Sequence, residues 1–480
     1  MTELDRAIGA LLGLAAGDAV GTTLEFERPG HFTPIDDLVG GGPFRLKPGE
    51  WTDDTSMALC LAESVLDRGG MDLSDQLRRY LLWRDQAYLS SNGRLFDIGN
   101  TTSSQLERFR RSGEVVDPHP DQASAANGSL MRLAAVPVRW CSDVGQAAQE
   151  SGRSSLTTHP ADRPVDACRL LGAMVAALVG GASFEEVTSP AFWSFGTLHP
   201  EVAEIAHGTW KSKQPPQIRG TGYCIDALEA ALWAVGGADN FRSAVLRAAN
   251  LGDDADTTAA IAGQLAGARW GAGGVPGPWR DKIAHANRIV SLARGLYLAG
   301  VGKSPTMWSD DDLVHAWWAR PGQVLAGEYP GHEDQAGAET KVNLLVDVGI
   351  RTFVDLTTPA DRLSPYESLL EKLGANRRLD LRRLVFPIPD LGTVDDGVYQ
   401  QICNAIDGSL PRGGVYVHCW GGVGRTGTVI GCLLADEGLG YDQIMERFAV
   451  LRSGTRKGSR PIPETTAQQE VIRRRASRGL

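Results

Sequence analysis

At 480 residues the chain is too long for one ordinary domain, and roughly 150 residues per domain predicts two or three. Its 42% apolar and 22% charged content suits a globular chain and excludes disorder, collagen and coiled coil as descriptions of the whole. The net charge of -10 sits in the first two-thirds, because from Gly327 onward 19 basic and 20 acidic residues nearly cancel. That acidity argues against a nucleic-acid footprint. The seven cysteines are odd in number and lack a C-x-x-C pair, which disfavours a disulfide framework or a structural zinc site. No apolar run reaches the roughly 18 residues that span a bilayer. Ile8 to Ala16 is apolar, but Glu3, Asp5 and Asp18 flank it and it lacks the basic start of a signal peptide. The expectation is a cytoplasmic protein with no membrane segment.

Over residues 1–300 apolar residues recur at helical spacing in Leu4 to Leu14, Thr55 to Leu66, Leu73 to Trp83, Pro164 to Val179, Tyr223 to Val235, Arg242 to Ala249 and Thr257 to Ala268. Many of these stretches are rich in Ala and Leu, and glycines and prolines punctuate them. Strand alternation is scarce. One large all-α domain is predicted. Residues 301–325 hold Pro305, three aspartates from Asp310, the Trp317-Trp318 pair and Pro321, and read as a connector that docks through its tryptophans. Residues 326–480 change pattern. Strand candidates at Thr352 to Leu356, Leu384 to Ile388 and Val415 to His418 mix with helical stretches at Val342 to Val348, Tyr366 to Leu373, Val398 to Ile406 and Thr426 to Asp436. Such alternation predicts an α/β domain with a largely parallel sheet. The basic tail with Arg473, Arg474, Arg475 and Arg478 reads as a solvated helix end rather than a recognition element.

Three segments of the first domain put acids beside glycine or threonine where a helix is expected to begin. They are Gly17-Asp18-Ala19-Val20-Gly21 with Glu25, Trp51-Thr52-Asp53-Asp54-Thr55, and Gly252-Asp253-Asp254-Ala255-Asp256-Thr257-Thr258. Helix capping accounts for one such residue at a time, not for three acids in four positions. Neighbouring carboxylates repel, and a cation offsets the repulsion. With no His or Cys in the clusters, a hard divalent cation, magnesium or manganese, is favoured over zinc.

These motifs resemble the ADP-ribosylglycohydrolase family. The likeness covers roughly residues 3 to 298 and includes G-D-A-V-G, W-T-D-D-T-S-M-A-L, F-D-I-G at Phe96 to Gly99, A-N-G-S-L-M-R at Ala126 to Arg132, T-H-P at Thr158 to Pro160 and L-G-D-D-A-D-T-T. The resemblance implies an all-α fold with two divalent cations, Mg2+ or Mn2+. By motif the ligands are Thr52, Asp53, Asp54, Asp254, Asp256 and Thr257, with Glu25 beside them. Asp97, Asn127, Gly128, Ser129 and His159 are expected to line the ADP-ribose cleft, although a structural role for His159 is an equal reading. The chemistry fits, since cleaving a glycosidic bond builds positive charge on the sugar that carboxylates stabilise.

A second constellation lies at Val415-Tyr-Val-His-Cys-Trp-Gly-Gly-Val-Gly-Arg-Thr-Gly427. Cys419 ends a strand candidate, and Arg425 stands where a helix begins. Gly421, Gly422 and Gly424 let successive backbone N–H groups converge on one anion, and the helix terminus adds positive potential. Such a field favours a nucleophilic thiolate, and an arginine can fork onto two phosphate oxygens. The segment resembles the cysteine-based protein tyrosine phosphatases, nearest the compact dual-specificity type, over roughly residues 326 to 476. The resemblance implies Cys419 as nucleophile, Arg425 on phosphate, Asp390 as the acid, Thr426 assisting release of the intermediate, and His418 ordering the loop. It also implies a glutamine beside the attacking water, either Gln468 or Gln469.

The two resemblances together predict a bifunctional hydrolase. One part removes ADP-ribose, by default from protein arginine, and the other cleaves a phosphate monoester. The expected partners are an ADP-ribosylated protein or ADP-ribose derivative and a phosphate monoester, with no membrane and with nucleic acid not indicated. A regulatory protein that binds these groups without turnover is the alternative.

Overall fold

The computed structural model describes residues 1–301, 308, 310–377 and 379–477. Pro305 and Arg478, both noted in the sequence, lie outside the described residues. The chain divides into two compact units, Met1–Lys303 and Ser304–Leu480.

The first unit is helical, and each helix expected from periodicity is present. The long ones span Glu3–Gly21, Asp53–Arg68, Leu73–Gln86, Asp162–Val179, Cys224–Gly236 and Ala255–Gly274. Helices at Asn100–Ser112 and Val144–Ser155 were not legible. The first turns only Leu106 and Phe109 of its apolar side chains to the core, a stripe too thin to read as periodicity. The second buries a face made of Ala, Ser and Gly.

The centre of this unit is a seam between Glu3–Gly21 and Ala255–Gly274. Gly9, Gly13, Gly17 and Gly21 recur every fourth residue and so share one helix face. A Cβ added at each would stand 2.2, 2.3, 2.0 and 2.3 Å from the carbonyl oxygens of Gly267, Gly263, Ala259 and Ala255, in that order. Only glycine permits this approach. The pairing runs antiparallel, so the end of the first helix meets the start of the second. Glu3–Leu24 is in fact long and apolar enough to cross a membrane, contrary to the sequence expectation, yet 89% of its apolar window is buried inside the fold. Its Ala, Gly and Leu content serves the seam.

Among the described residues the second unit carries five strands, β1 (Ala316–Arg320), β2 (Val324–Gly327), β3 (Ile350–Asp355), β4 (Arg382–Val385) and β5 (Gly414–His418). Their order is β1-β2-β5-β3-β4. Only β1 is antiparallel to its neighbour, so the sheet is largely parallel. β1 lies within the 301–325 stretch that reads as a connector in the sequence. Trp317 and Trp318 alternate across it, and each enters the apolar core on one face of the sheet. β1 and β2 read as connector because three aspartates precede them and Pro321-Gly322 separates them; burial without alternation is no different in β5, which the sequence does mark. Helices Gln335–Asp347 and Glu367–Arg377 belong with one face, and Asp396–Ser409, Gly424–Asp436, Tyr441–Leu451 and Thr466–Ala476 with the other. The last of these holds the basic tail residues. Arg475 pairs with Asp436 at 2.6 Å, Arg473 with Glu470 at 3.0 Å and Arg474 with Asp396 at 3.4 Å.

Candidate active sites

The glycine seam brings Asp18 and Glu25, from the end of one helix and the turn after it, beside the start of the other. Asp18 stands in the last turn of Glu3–Gly21, not before a helix as the sequence suggested. Its carboxylate accepts from Thr52 N and Oγ1, both at 2.9 Å, and from Thr55 N at 3.0 Å and Oγ1 at 2.6 Å. Thr52 occupies the N-cap of Asp53–Arg68 but makes no side-chain cap of its own. Asp18 therefore caps this helix from another part of the chain. Burial raises its pKa to about 6 against the pull of those four bonds.

Around this fixed point the acids converge. Oxygens of Glu25, Asp254 and Asp256 lie within 4.8 Å of one another. Thr52 Oγ1 is 3.3 Å from Asp54 Oδ2 and 3.2 Å from Asp256 Oδ2, and Thr257 Oγ1 is 3.4 Å from Asp54 Oδ2. Asp253 turns outward. It is exposed with φ 60°, and its backbone pairs with Phe26 N at 2.7 Å and Glu27 O at 2.8 Å, which fixes the loop that carries Glu25. Burial, then mutual repulsion, raises the pKa of Asp53 and Asp54 well above the carboxylate range. Burial raises Asp256 to about 8 and also pushes Glu25, Asp97 and Asp254 upward.

A hard cation fits this donor set. Every donor is an oxygen, the acids are held together against their repulsion, and Asp54 Oδ1 is buried with no hydrogen-bond partner. The helices Asp53–Arg68 and Ala255–Gly274 also begin here, and their N-terminal dipoles favour negative charge.

The expected cleft residues divide. Asp97, at φ 58°, stands close enough to Asp53 for charge repulsion to help raise the Asp53 carboxyl, after burial. Asn127 Nδ2 donates to Asp254 Oδ2 at 2.7 Å and orients it. Gly128 packs on His159, with an added Cβ 2.8 Å from Cε1. His159 is buried, and burial lowers its pKa to about 3. Ser129 does not line a cleft. It is fully buried and accepts hydrogen bonds from Ser155 Oγ at 2.8 Å and Cys168 Sγ at 3.3 Å. One residue along the chain is enough to turn a side chain from the cleft to the core.

In the second unit the candidate site lies at the C-terminal end of central β5, where ligands collect in parallel sheets. β3 and β4 run parallel to their neighbours, so their following loops arrive at the same edge. Cys419 is buried directly after β5. Arg425 enters the helix Gly424–Asp436 and forks onto Asp361, Nη1 to Oδ2 and Nη2 to Oδ1, both at 2.9 Å. Asp361 follows β3 and was not singled out in the sequence. The Arg425 fork holds its carboxyl below the usual range. Asp390, half-exposed after β4, reaches Arg425 Nη2 at 3.1 Å. Arg425 Nε and Thr426 Oγ1 are buried without partners, and both are oriented donors of the kind an oxyanion uses. Gly422, at φ 73°, lets the loop pass Gly327, whose carbonyl carbon an added Cβ would approach to 2.5 Å. An added Cβ at Gly424 would meet Glu464 Oε2 at 2.5 Å and Gln468 Oε1 at 3.1 Å, whereas Gly421 faces open space.

His418 is fully buried, shares a hydrogen with Tyr366 Oη at 2.7 Å through Nε2, and burial lowers its pKa to about 4. It braces the loop as a neutral ring. Of the two glutamines, Gln468 faces the loop, since its Nε2 donates to Gly392 O at 3.3 Å and its side chain lies against Gly424. Gln469 turns to Pro463 O at 3.1 Å.

A carboxylate-rich centre in an all-α unit, followed by a cysteine–arginine loop in an α/β unit, defines a two-part hydrolase. The chain belongs to the ADP-ribosylglycohydrolase family, whose model matches residues 1–306. Residues 316–478 match a phosphatase domain described as "Swiss Army Knife protein, DSP-PTPase phosphatase domain". ADP-ribosylarginine hydrolase Tri1 of Pseudomonas putida (strain GB-1) is 48% identical over 294 residues, 61% of this chain and 78% of that protein. The protein of the same name from Serratia proteamaculans (strain 568) is 45% identical over 295 residues, 62% of this chain and 80% of its own length. A solved structure named "ADP-ribosylglycohydrolase-related protein complex" is 38% identical with a TM-score of 0.55, covering 62% of this chain and 99% of that one.

Proposed function

We propose that the first unit releases ADP-ribose from protein arginine with divalent cations, and that the second hydrolyses phosphate monoesters through Cys419. The arginine linkage is supported by relatives named ADP-ribosylarginine hydrolase. The cation requirement is carried by one observation, a buried Asp54 Oδ1 left unpaired among acids that repel. Thr52, Asp53, Asp54, Asp254, Asp256 and Thr257 would hold two cations, Mg2+ or Mn2+, which supply Lewis acidity that orients a ribose diol and activates water. Asn127 keeps Asp254 in place, and Asp18 keeps Thr52 in place. Glu25, buried beside Asp254 and Asp256, is the group positioned to take or give a proton at the bond being cut.

In the second unit Cys419 attacks phosphorus while Arg425 and the loop N–H groups hold the oxygens. Asp390 protonates the leaving oxygen, and Gln468 orients the water that clears the intermediate. A cytoplasmic setting suits both, since all seven cysteines are free thiols.

The test is a panel of arginine-linked and serine-linked ADP-ribosylated substrates with Mg2+, Mn2+ or chelator, alongside an aryl phosphate. Chelation should abolish ADP-ribose release and spare aryl phosphate turnover. Equal sensitivity of both activities would overturn the assignment, and binding of both substrates without turnover would make the protein a reader of these groups.

A further inference from the structure

His159 packs on Gly128, the residue after the Asn127 that orients Asp254. Among the described residues its ring makes one hydrogen bond, 2.8 Å from Nδ1 to Thr158 Oγ1. A neutral imidazole has one donor and one acceptor nitrogen, and its neighbours decide which is which. Here the neighbour's role is set from behind. Arg132 Nη2 approaches the same Oγ1 at 2.7 Å, and a guanidinium can only donate. Arg132 is fully buried, and its other oxygen partners also accept from it, Thr157 Oγ1 at 3.0 Å and Gly128 O at 3.1 Å. The Thr157 hydroxyl sends its own hydrogen on to Ser154 O at 2.8 Å.

Thr158 Oγ1 therefore accepts from Arg132 and has one hydrogen to give. The acceptor at hand is His159 Nδ1. The opposite order, with Nδ1–H donating to Oγ1, would direct two donors at one oxygen and leave a buried hydroxyl hydrogen unpaired. Gly128 adds the second observation. A Cβ there would stand 3.1 Å from Nε2, so the backbone packs on that edge of the ring as closely as only glycine allows.

We propose that Arg132 and Thr158 lock His159 in the tautomer with its hydrogen on Nε2, so that the ring offers a donor, and never an acceptor, on the Gly128 side. Thr158 and Arg132 are positioning residues in this scheme. The ligand it selects is an acceptor oxygen, and on the reading of this unit as an ADP-ribose hydrolase that oxygen belongs to a ribose hydroxyl or the diphosphate. Burial, reinforced by the Arg132 charge, keeps the ring neutral at neutral pH, so only the two neutral tautomers compete.

The test is a two-bond 1H–15N spectrum of the full-length chain labelled with 15N-histidine. The chain has nine histidines, and His159→Gln assigns the resonance by its loss. Wild type should show Nε2 protonated and Nδ1 bare. Thr158→Ser keeps the hydroxyl and should keep that pattern. Thr158→Val removes it and should give a mixture of tautomers, with ADP-ribose binding weakened by roughly tenfold (1.4 kcal/mol). Wild type with the hydrogen on Nδ1 overturns the relay whatever the variants do. So does a folded Thr158→Val chain with wild-type tautomer and affinity. If the wild-type tautomer is as expected but saturating ADP-ribose leaves the Nε2 signal unmoved, the lock stands and the ligand assignment falls.

Discussion

The glycine seam makes a demanding prediction, because Gly13 lies more than one helical turn from any acid of the site. In Gly13→Ala the new Cβ would lie 2.3 Å from Gly263 O and 3.0 Å from Phe241 Cε2. The helices must open by about 0.7 Å to bring the first contact even to 3.0 Å. Two effects oppose each other. Alanine gains about 1 kcal/mol of helix propensity over glycine. Overpacking a close helix contact typically costs about 1–3 kcal/mol or more, and backbone on both sides leaves little to yield. A net loss of up to about 2 kcal/mol is expected, towards the upper end because neither backbone can yield. Opening the seam also moves Asp18 and Glu25 away from Asp254 and Asp256, and misplacement on the order of 1 Å can cost up to about 100-fold in rate. ADP-ribose release should fall at least roughly tenfold, or about 1.4 kcal/mol of barrier, while aryl phosphate turnover is unchanged. Urea unfolding, followed through the transition that responds to Mg2+, measures the stability, and a release assay measures the rate. Gly408 is the control, an exposed helical glycine with nothing within 4 Å of its added Cβ, and Gly408→Ala should be neutral or stabilising by up to about 1 kcal/mol. Wild-type stability and release in Gly13→Ala would refute the argument that this seam sets the register of the acids.

Asp256→Asn should lower ADP-ribose release at least roughly tenfold and weaken Mg2+ binding by calorimetry, since it removes one charged group of the proposed ligand set while relieving repulsion in the cation-free fold. Wild-type release would remove Asp256 from the ligand set. Cys419→Ser should abolish aryl phosphate turnover while retaining phosphate binding, because serine is not ionised at neutral pH. Asp390→Asn should slow esters with poor leaving groups most, and a defect of equal size across leaving groups would move the acid role elsewhere. Asp361→Asn should loosen the Arg425 fork and raise the KM for aryl phosphates by roughly tenfold or about 1.4 kcal/mol, with unchanged KM and kcat counting against a positioning role.

What the sequence determined by itself was local. The spacing from Cys419 to Arg425, with glycines between, describes a loop whose groups are held within one turn of chain, so no distant contact is needed to see it. The acids at Thr52 to Asp54 and Asp254 to Thr257 were legible for the same reason, each cluster sitting on one helix start. Ala- and Leu-rich runs marked the first unit as helical, although Glu3–Gly21, Asp53–Arg68 and Ala255–Gly274 are buried along unbroken stretches rather than on one face. The tertiary structure decided which groups serve others across the fold. Asp18 caps a helix 34 residues away, and Asp361 holds an arginine 64 residues away. Neither interaction leaves a spacing signal, since the chain between is free to vary in length without moving the ends. Ser129 looked like its neighbours in the motif and turned inward, because rotation along a tight turn is set by packing rather than by residue type. β1 and β2 read as connector because aspartates and the Pro321-Gly322 turn interrupt the apolar run, and only the pairing of β2 with β5 makes them strands of the sheet.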